Sequence, residues 1–340
     1  MQLNINQIKE ITLGAANIFQ GSDGIEFHRF TEKQEELYHK TNEIFWDRCF
    51  CTAGIKLLFR TDSKNLCLKI AASRTVDTRS YFSFDVFSDG RLVGYLDNFS
   101  DIDLPQDNYM WVDAPLGKFQ KCFELGEGTK EVCIHFPWSV SALLSELSLD
   151  DGCFVETVKP KKKLLAFGDS ITHGFDAYRP SNRYIAILAD KLEAEEHNKA
   201  IGGERFFPEL ASLKDDFEPD YITVAYGTND WNSGMSMEEF SDNCRLFYEN
   251  LRKNHLNSKI IAITPIWRAD MDMGDKFCRF KDMYNIIANI VKDINNVDVI
   301  SGFDFVPHDE KYYGDLRLHP NDEGFGFYAD SLYKQISNLI

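Results

Sequence analysis

The sequence predicts two unlike halves: an all-β sandwich of jelly-roll type over residues 1–158, then an α/β domain over residues 159–340 with helices on both faces of a parallel sheet. Three observations carry this reading. Short alternating runs rich in aromatic and β-branched residues fill the stretch from Phe45 to Phe136, with turn signals between them and almost no long helical pattern. At Val158-Lys-Pro-Lys-Lys-Lys163 a proline and a basic cluster interrupt the pattern, which reads as a solvated linker. From Leu164 onward apolar strand-like runs alternate with helical periodicity, the texture of β-α units.

Residues 1 to about 45 are polar and irregular, as in Thr31-Glu-Lys-Gln-Glu-Glu36, and are assigned only to the first domain. Strands are expected over 55–60, 66–71 and 81–87. Ser88-Asp-Gly-Arg91 predicts a hairpin into 92–96, because Asp-Gly supplies the positive φ of a tight turn. A second hairpin is expected at Gly126-Glu-Gly-Thr129, between strands at 119–125 and 131–136. In the second half, strands are expected at Leu164–Phe167, from His197 to Ile201, over 220–226, over 259–264 and at 297–300. Helices are expected over 182–192, over 237–253 behind a Ser236/Glu239 capping box, over 275–294 and over 321–339.

The composition sets limits on function. A chain of 340 residues with 44% apolar and 14% aromatic residues is an ordinary globular protein of about two domains. A net charge of -17 disfavours nucleic acid and anionic membranes as partners, since binding polyanions requires clustered Lys and Arg. The N-terminal stretch lacks the basic and unbroken apolar regions of a signal peptide, so a cytoplasmic location is expected. The eight cysteines are then expected to be free thiols, and their spacing with histidine does not suggest zinc.

The chemistry centres on Leu164-Leu-Ala-Phe-Gly-Asp-Ser-Ile-Thr-His173, where a buried strand delivers Ser170 to the carboxyl edge of the sheet. Asp169 and Ser170 are equally suited to cap the helix that follows, so this stretch alone does not decide between the two roles. Three more loops follow strands: Asn198-Lys-Ala-Ile-Gly-Gly203, Gly227-Thr-Asn-Asp230, and the irregular segment Asp315-Leu-Arg-Leu-His-Pro320. These four blocks, in this order, resemble those of the SGNH subgroup of GDSL esterases and lipases, named for Ser, Gly, Asn and His. The likeness runs from about Leu164 to the C-terminus. It implies a flavodoxin-like three-layer domain and ester hydrolysis through a serine nucleophile.

The residues agree with that chemistry. A serine hydroxyl needs a base to remove its proton, and histidine can do so and then protonate the leaving alcohol. Ser170 is therefore the expected nucleophile and His319 the expected base. The Ser170 and Gly203 backbone N–H groups and the Asn229 side chain are expected to form the oxyanion hole, such donors being worth about 2.7 to 4 kcal/mol each. Glycine suits position 203 because a side chain there would crowd the substrate. Asp230 braces its loop, and His173 reads as a satisfied histidine at a helix terminus.

Two positions depart from the resemblance. Ala200 stands where glycine is common, and the acid usually found three residues before the histidine is replaced by Leu316, with Asp315 one position further away. Either a bulge brings Asp315 to His319, or a backbone carbonyl orients the histidine and the site is a dyad. Asp322 and Glu323 are expected to cap the closing helix, while Trp267 and Arg268 are candidate walls for an acyl or sugar group.

The expected protein is a serine esterase that removes a short acyl group such as acetyl from a carbohydrate or small polar substrate, with no metal or organic cofactor. The sugar follows from SGNH carbohydrate esterases that carry jelly-roll modules at their N-terminus. The alternatives are a lipase or thioesterase for longer acyl chains and a glycan-binding protein with an impaired hydrolase half. Oligomeric state is left open.

Overall fold

A computed structural model of the chain describes residues 1–76, 78–102, 112–273 and 276–339. The first half forms two antiparallel sheets. One runs, in spatial order, Thr12–Leu13, Lys56–Thr61, Lys130–His135, Ser83–Ser88 and Arg91–Asp97, with Glu156–Thr157 also paired to Lys56–Thr61. The other runs Asn17–Gln20, Ile25–His28, Val140–Leu149, Asn65–Arg74 and Gly117–Glu124. Their facing side chains, among them Phe27, Leu57, Phe59, Leu68, Phe84, Ile134 and Leu144, share one buried core.

The Asp-Gly hairpin forms as expected, with Asp89 at φ 47° and Gly90 at φ 70°. The second expected hairpin does not. Gly117–Glu124 pairs with Asn65–Arg74 in one sheet and Lys130–His135 lies in the other, so the turn at 126–129 carries the chain between sheets. The turn glycines still adopt positive φ, but turn chemistry does not reveal where the next strand pairs. The free-thiol expectation also needs correction: Cys67 and Cys122 face each other on paired strands and form a disulfide, while the other six cysteines are free.

The second half is a five-stranded parallel sheet in the order Ala194–Asn198, Lys162–Gly168, Tyr221–Ala225, Lys259–Ile263, Val297–Ile300. Alternating side chains of the strand Lys162–Gly168 serve two cores. Leu164 and Ala166 pack with the helices Tyr184–Lys191 and Asp322–Ile336, and Leu165 and Phe167 with Met237–Asn254 and Met283–Val291. This is the flavodoxin-like three-layer arrangement. Ser236 caps Met237–Asn254 through the Glu239 N–H. The helix expected from 275 begins as a short 3-10 turn at Phe280–Asp282 and is regular only over Met283–Val291, and residue 275 lies outside the described residues.

The polar segment after Phe30 folds into two helices, Glu32–Thr41 and Glu43–Cys49. A reciprocal capping box of Thr31 and Gln34 starts the first. Phe30, Tyr38 and Cys49 enter the core on one face of the parallel sheet, alongside Leu165, Phe167 and Ile201. No helix among the described residues is long and apolar enough to cross a membrane.

If the Cys67–Cys122 bond is present in the purified protein, iodoacetamide added under denaturing, non-reducing conditions should label six of the eight cysteines, and all eight after reduction. Peptide mass spectrometry reads both numbers, and labelling of all eight without reductant would contradict the pairing.

Candidate active site

The strand Lys162–Gly168 is flanked by Ala194–Asn198 on one side and Tyr221–Ala225 on the other, so the chain reverses its winding direction there. A crevice opens at such a switch point, beyond the carboxyl ends of the strands. Ser170 stands at its mouth, on the first turn of the helix Ser170–His173. Asp169 caps that helix by accepting from the Ile171 N–H at 3.0 Å, so capping and delivery of the serine coexist.

The final loop closes over this end. His319 Nε2 lies 2.8 Å from Ser170 Oγ, and His319 Nδ1 lies 2.7 Å from Asp315 Oδ2. All three side chains are nearly buried, with 5% exposure at Ser170 and 8% at His319 and Asp315. Asp315 reaches the ring from four residues away because Leu316 adopts φ 55°, a left-handed conformation that takes up the additional residue. The loop then folds back so that Asp315 Oδ1 accepts the backbone N–H groups of Arg317, Leu318 and His319 at 3.0, 2.7 and 3.0 Å. Burial alone would raise the Asp315 pKa, but His319 and these N–H donors outweigh it and hold the carboxyl well below the usual range.

Of the proposed oxyanion donors, Ser170 follows the strand Lys162–Gly168, and Gly203 and Asn229 follow the two strands that flank it. Among the described residues, neither the Ser170 nor the Gly203 N–H donates to a protein acceptor. Asn229 Nδ2 donates one hydrogen to the Glu204 carbonyl at 2.9 Å, which ties the third block to the second and leaves the other hydrogen available. Gly203 has φ 87°, and a Cβ there would lie 3.4 Å from Arg48 Nη1, which is ordinary contact. Its positive φ is one reason for glycine at this position.

The residues read as structural take up such places. His173 is buried, with Nε2 2.9 Å from the Trp138 carbonyl and Nδ1 accepting from the Gly202 N–H at 3.2 Å. Burial, followed by the Arg29 charge, depresses its pKa well below the ordinary value, so it is a neutral tie between loops. Asp230 accepts from the Phe206 N–H at 3.1 Å. Asp322 does not cap its helix. Asn321 does, and Asp322 accepts from the Tyr178 N–H and Asn182 Nδ2, at 2.8 Å each.

Arg268 is not an open substrate contact. It is 1% exposed, with its guanidinium committed to the Asp270 carboxylate, the Thr228 hydroxyl and the Thr228 carbonyl. Trp267 is partly buried and packs against His308 and Tyr313.

Several residues around the site escape a reading of the sequence. Arg48 donates to the Gly202 carbonyl, and Phe45 lies near Gly203. Glu204 is buried between the Tyr38 and Tyr226 hydroxyls, and desolvation raises its pKa to about 8 against those hydrogen bonds. The capping box at Thr31 and Gln34 was the available signal for the helix carrying Tyr38, whereas nothing local to Glu204 marks it. Asp176, Asp315 and His319 converge closely enough to suggest a cation site. Arg79 already supplies the positive charge to Asp176, through Nε at 2.6 Å, and Asp315 is committed to His319 and its own backbone, so this donor set is poorly suited to a metal.

A serine hydroxyl, an imidazole and a carboxylate thus stand in hydrogen-bonded line, beside two N–H groups without a protein acceptor among the described residues, at the edge of a three-layer α/β sheet. Residues 166–326 match the model of the GDSL-like Lipase/Acylhydrolase family, so the C-terminal part of the chain carries a GDSL-like acylhydrolase domain. A comparison with curated proteins finds no match. Among solved structures, the chain is similar to the salicylyl-acyltransferase SsfX3 from a tetracycline biosynthetic pathway, with TM-score 0.80 and 20% identity over 96% of this chain and 94% of that one. It is also similar to a family two carbohydrate esterase from Clostridium thermocellum in complex with cellohexaose, with TM-score 0.67 and 14% identity over 96% and 98%. An acetyl xylan esterase from the rumen bacterium Butyrivibrio proteoclasticus aligns with TM-score 0.59 and 16% identity over 85% and 91%. At these identities the likeness is one of fold, and it extends across the β-rich module.

Between the unfolded pKa of a glutamate and about 8, folded Glu204 keeps a proton that the unfolded chain has lost. Its contribution therefore makes the protein less stable as pH rises through that window. Glu204→Gln, which mimics the protonated side chain, should reduce the fall in Tm between pH 5 and pH 8, as read by thermal melts at the two pH values; an unchanged fall would contradict a protonated Glu204.

Proposed function

We propose that the protein is a serine esterase acting through an acyl-enzyme on short acyl esters, acetyl above all, of a carbohydrate or small polar alcohol. The single observation that carries this reading is the continuous line from Ser170 Oγ through His319 to Asp315, with contacts of 2.8 and 2.7 Å. Ser170 is the nucleophile. Its proton passes to His319 Nε2 as Oγ bonds to the acyl carbon and the carbonyl electron pair moves onto oxygen. The resulting oxyanion is taken up by the Ser170 and Gly203 N–H groups and the Asn229 amide. His319 then protonates the leaving alcohol as the C–O bond breaks, and water repeats the sequence to release the acid. Asp315 fixes the tautomer that presents Nε2 as acceptor and stabilises the imidazolium.

The carbohydrate part of the reading is supported by the esterases of similar fold, one solved with cellohexaose and one named for acetyl xylan. It includes a two-domain division at 158/159. Trp267, partly buried beside the final loop, is retained as a wall of the substrate cleft.

Ser170→Ala should lower kcat/KM for p-nitrophenyl acetate by about 10⁴-fold or more while leaving the Tm close to wild type. A fluorophosphonate probe should label Ser170 stoichiometrically, and absence of labelling would favour a glycan-binding protein without hydrolase activity. Across p-nitrophenyl esters of increasing chain length, activity should be greatest at acetate, and a maximum at octanoate or longer would defeat the short-acyl reading.

The loop gives a second test. Leu316→Gly relieves the left-handed strain and should keep kcat/KM within about twofold. Leu316→Pro, whose φ is locked near about -65°, should displace Asp315 and reduce activity to the level of Asp315→Ala. Equal activity of the glycine and proline variants would contradict the role given to this conformation.

A further inference from the structure

His319 faces two carboxylates. Besides Asp315, Asp176 Oδ2 lies 3.8 Å from Nδ1 and has no hydrogen-bond partner among the described residues. Asp176 is fully buried, six positions after the nucleophile, with φ 69° turning its side chain toward the ring of His319. Its other oxygen accepts from Arg79 Nε at 2.6 Å. Arg79 belongs to the β-rich half, is itself 3% exposed, and lies with its guanidinium 5.0 Å from the centre of the Phe175 ring, which in turn packs 5.6 Å from the His319 ring. A buried pair of this kind is costly to assemble, and an orphaned carboxylate oxygen aimed at an imidazole adds to that cost unless a positive charge develops there.

We propose that Asp176, held by Arg79 of the β-rich module, is a second positioning carboxylate for His319, so that the module supplies part of the electrostatic environment of the active site. The inference rests on the reading of His319 as the base for Ser170. The lone proton on Nδ1 goes to Asp315, and Asp176 acts on the ring through its field rather than through a hydrogen bond. The imidazolium formed when the serine proton arrives is stabilised by both carboxylates; burial raises the Asp176 pKa, and the Arg79 charge and hydrogen bond and the His319 charge act against that rise. Among the described residues, the charged groups that act on His319 are Asp315 on its own loop and Asp169 and Asp176 from the nucleophile segment, with Tyr313 beside Asp315 and Arg79 from the sandwich paired to Asp176. Among them Asp176 alone joins the two halves of the chain through an ion pair at the ring.

The test compares pH profiles of kcat/KM for p-nitrophenyl acetate. Removing a negative charge beside the ring destabilises the imidazolium, so its proton leaves at lower pH. Asp176→Asn, which retains a residue tolerant of positive φ, should shift the acid limb to lower pH by about half a unit or more and reduce kcat severalfold. In an Asp315→Ala background, where Asp176 is the remaining carboxylate, the same substitution should cost about tenfold or more beyond its effect in wild type. Because Asp176→Asn leaves Arg79 buried without its partner, the paired variant Arg79→Met/Asp176→Asn is measured alongside it and should shift the acid limb in the same direction but by less, since the more distant Arg79 charge is removed with it. An unshifted acid limb in whichever of these variants is folded, or losses that merely multiply with Asp315→Ala, would overturn the proposal. Fluorophosphonate labelling of Ser170 in the wild-type protein separates the two levels: failure there removes the esterase reading itself, whereas labelling with unshifted profiles removes only the role of Asp176.

Discussion

The geometry of the site depends on one buried guanidinium. Arg29 donates from Nε to the Cys51 carbonyl at 2.7 Å, from Nη1 to the carbonyls of Asn198 and Ala200 at 2.8 and 3.2 Å, and from Nη2 to the Arg48 carbonyl at 3.0 Å. It is 1% exposed, and burial lowers its pKa. Four backbone carbonyls do here what water would do for an exposed arginine, and a guanidinium's fixed fork of donors suits that task. The loop that ends in Gly203 is therefore fixed by the N-terminal segment as well as by its own bonds to Ala166, Gly168 and Asn198. Lys199 strengthens the interlock by reaching Gln34 and Asp215 from the same loop. A donor that must wait rigidly for an oxyanion is useful only if its backbone is held in this way.

The same logic applies across the rest of the contact between halves. Trp138 donates to the Ala177 carbonyl and accepts through its own carbonyl from His173, whose other nitrogen takes the Gly202 N–H. Arg179 reaches Ser83 and Asp97, and Ser181 bonds to Asp85, all on the sandwich. The segment after the nucleophile is thus stitched to the β-rich module at each turn. Such polar contacts fix one relative placement far more strictly than apolar burial would, because a displaced partner leaves a buried polar group unpaired. The module is a structural wall of the site, whatever else it binds.

How much of this was legible follows from how local each signal is. The parallel sheet, its helices and the four blocks were readable because each is a short run whose period or turn chemistry is set by near neighbours. The strand Val140–Leu149 was not. A register shift between Leu144 and Glu146 breaks its alternation midway, and its Ala, Leu and Glu residues do not favour a strand. The helix Glu32–Thr41 was missed because its buried face includes Gln34 and Tyr38, whose side chains, besides the local bond of Gln34 to the Thr31 N–H, find their partners in Asp215, Lys199 and Glu204 far along the chain. The turn at 126–129 was recognised as a turn, but which sheet receives the next strand is a tertiary decision. Arg268 looked accessible by its position after a strand, whereas its acceptors Asp270 and Thr228 fold over it.

The displaced acid shows why spacing alone was ambiguous. Outside a helix, a side chain four residues before a histidine reaches its ring only if the intervening chain bends back, and the sequence does not indicate whether it will. The bend is made at Leu316, an ordinary residue in a conformation that normally favours glycine, costing roughly 1–2 kcal/mol. What offsets that cost is visible in the three N–H bonds to Asp315 Oδ1, which close the loop on the same carboxylate that receives the imidazole. One aspartate therefore both shapes the loop and orients the ring, and its orientation is fixed before any substrate arrives. The departure from the usual spacing is thus a different solution to the same constraint, that Nδ1 must meet a rigid acceptor.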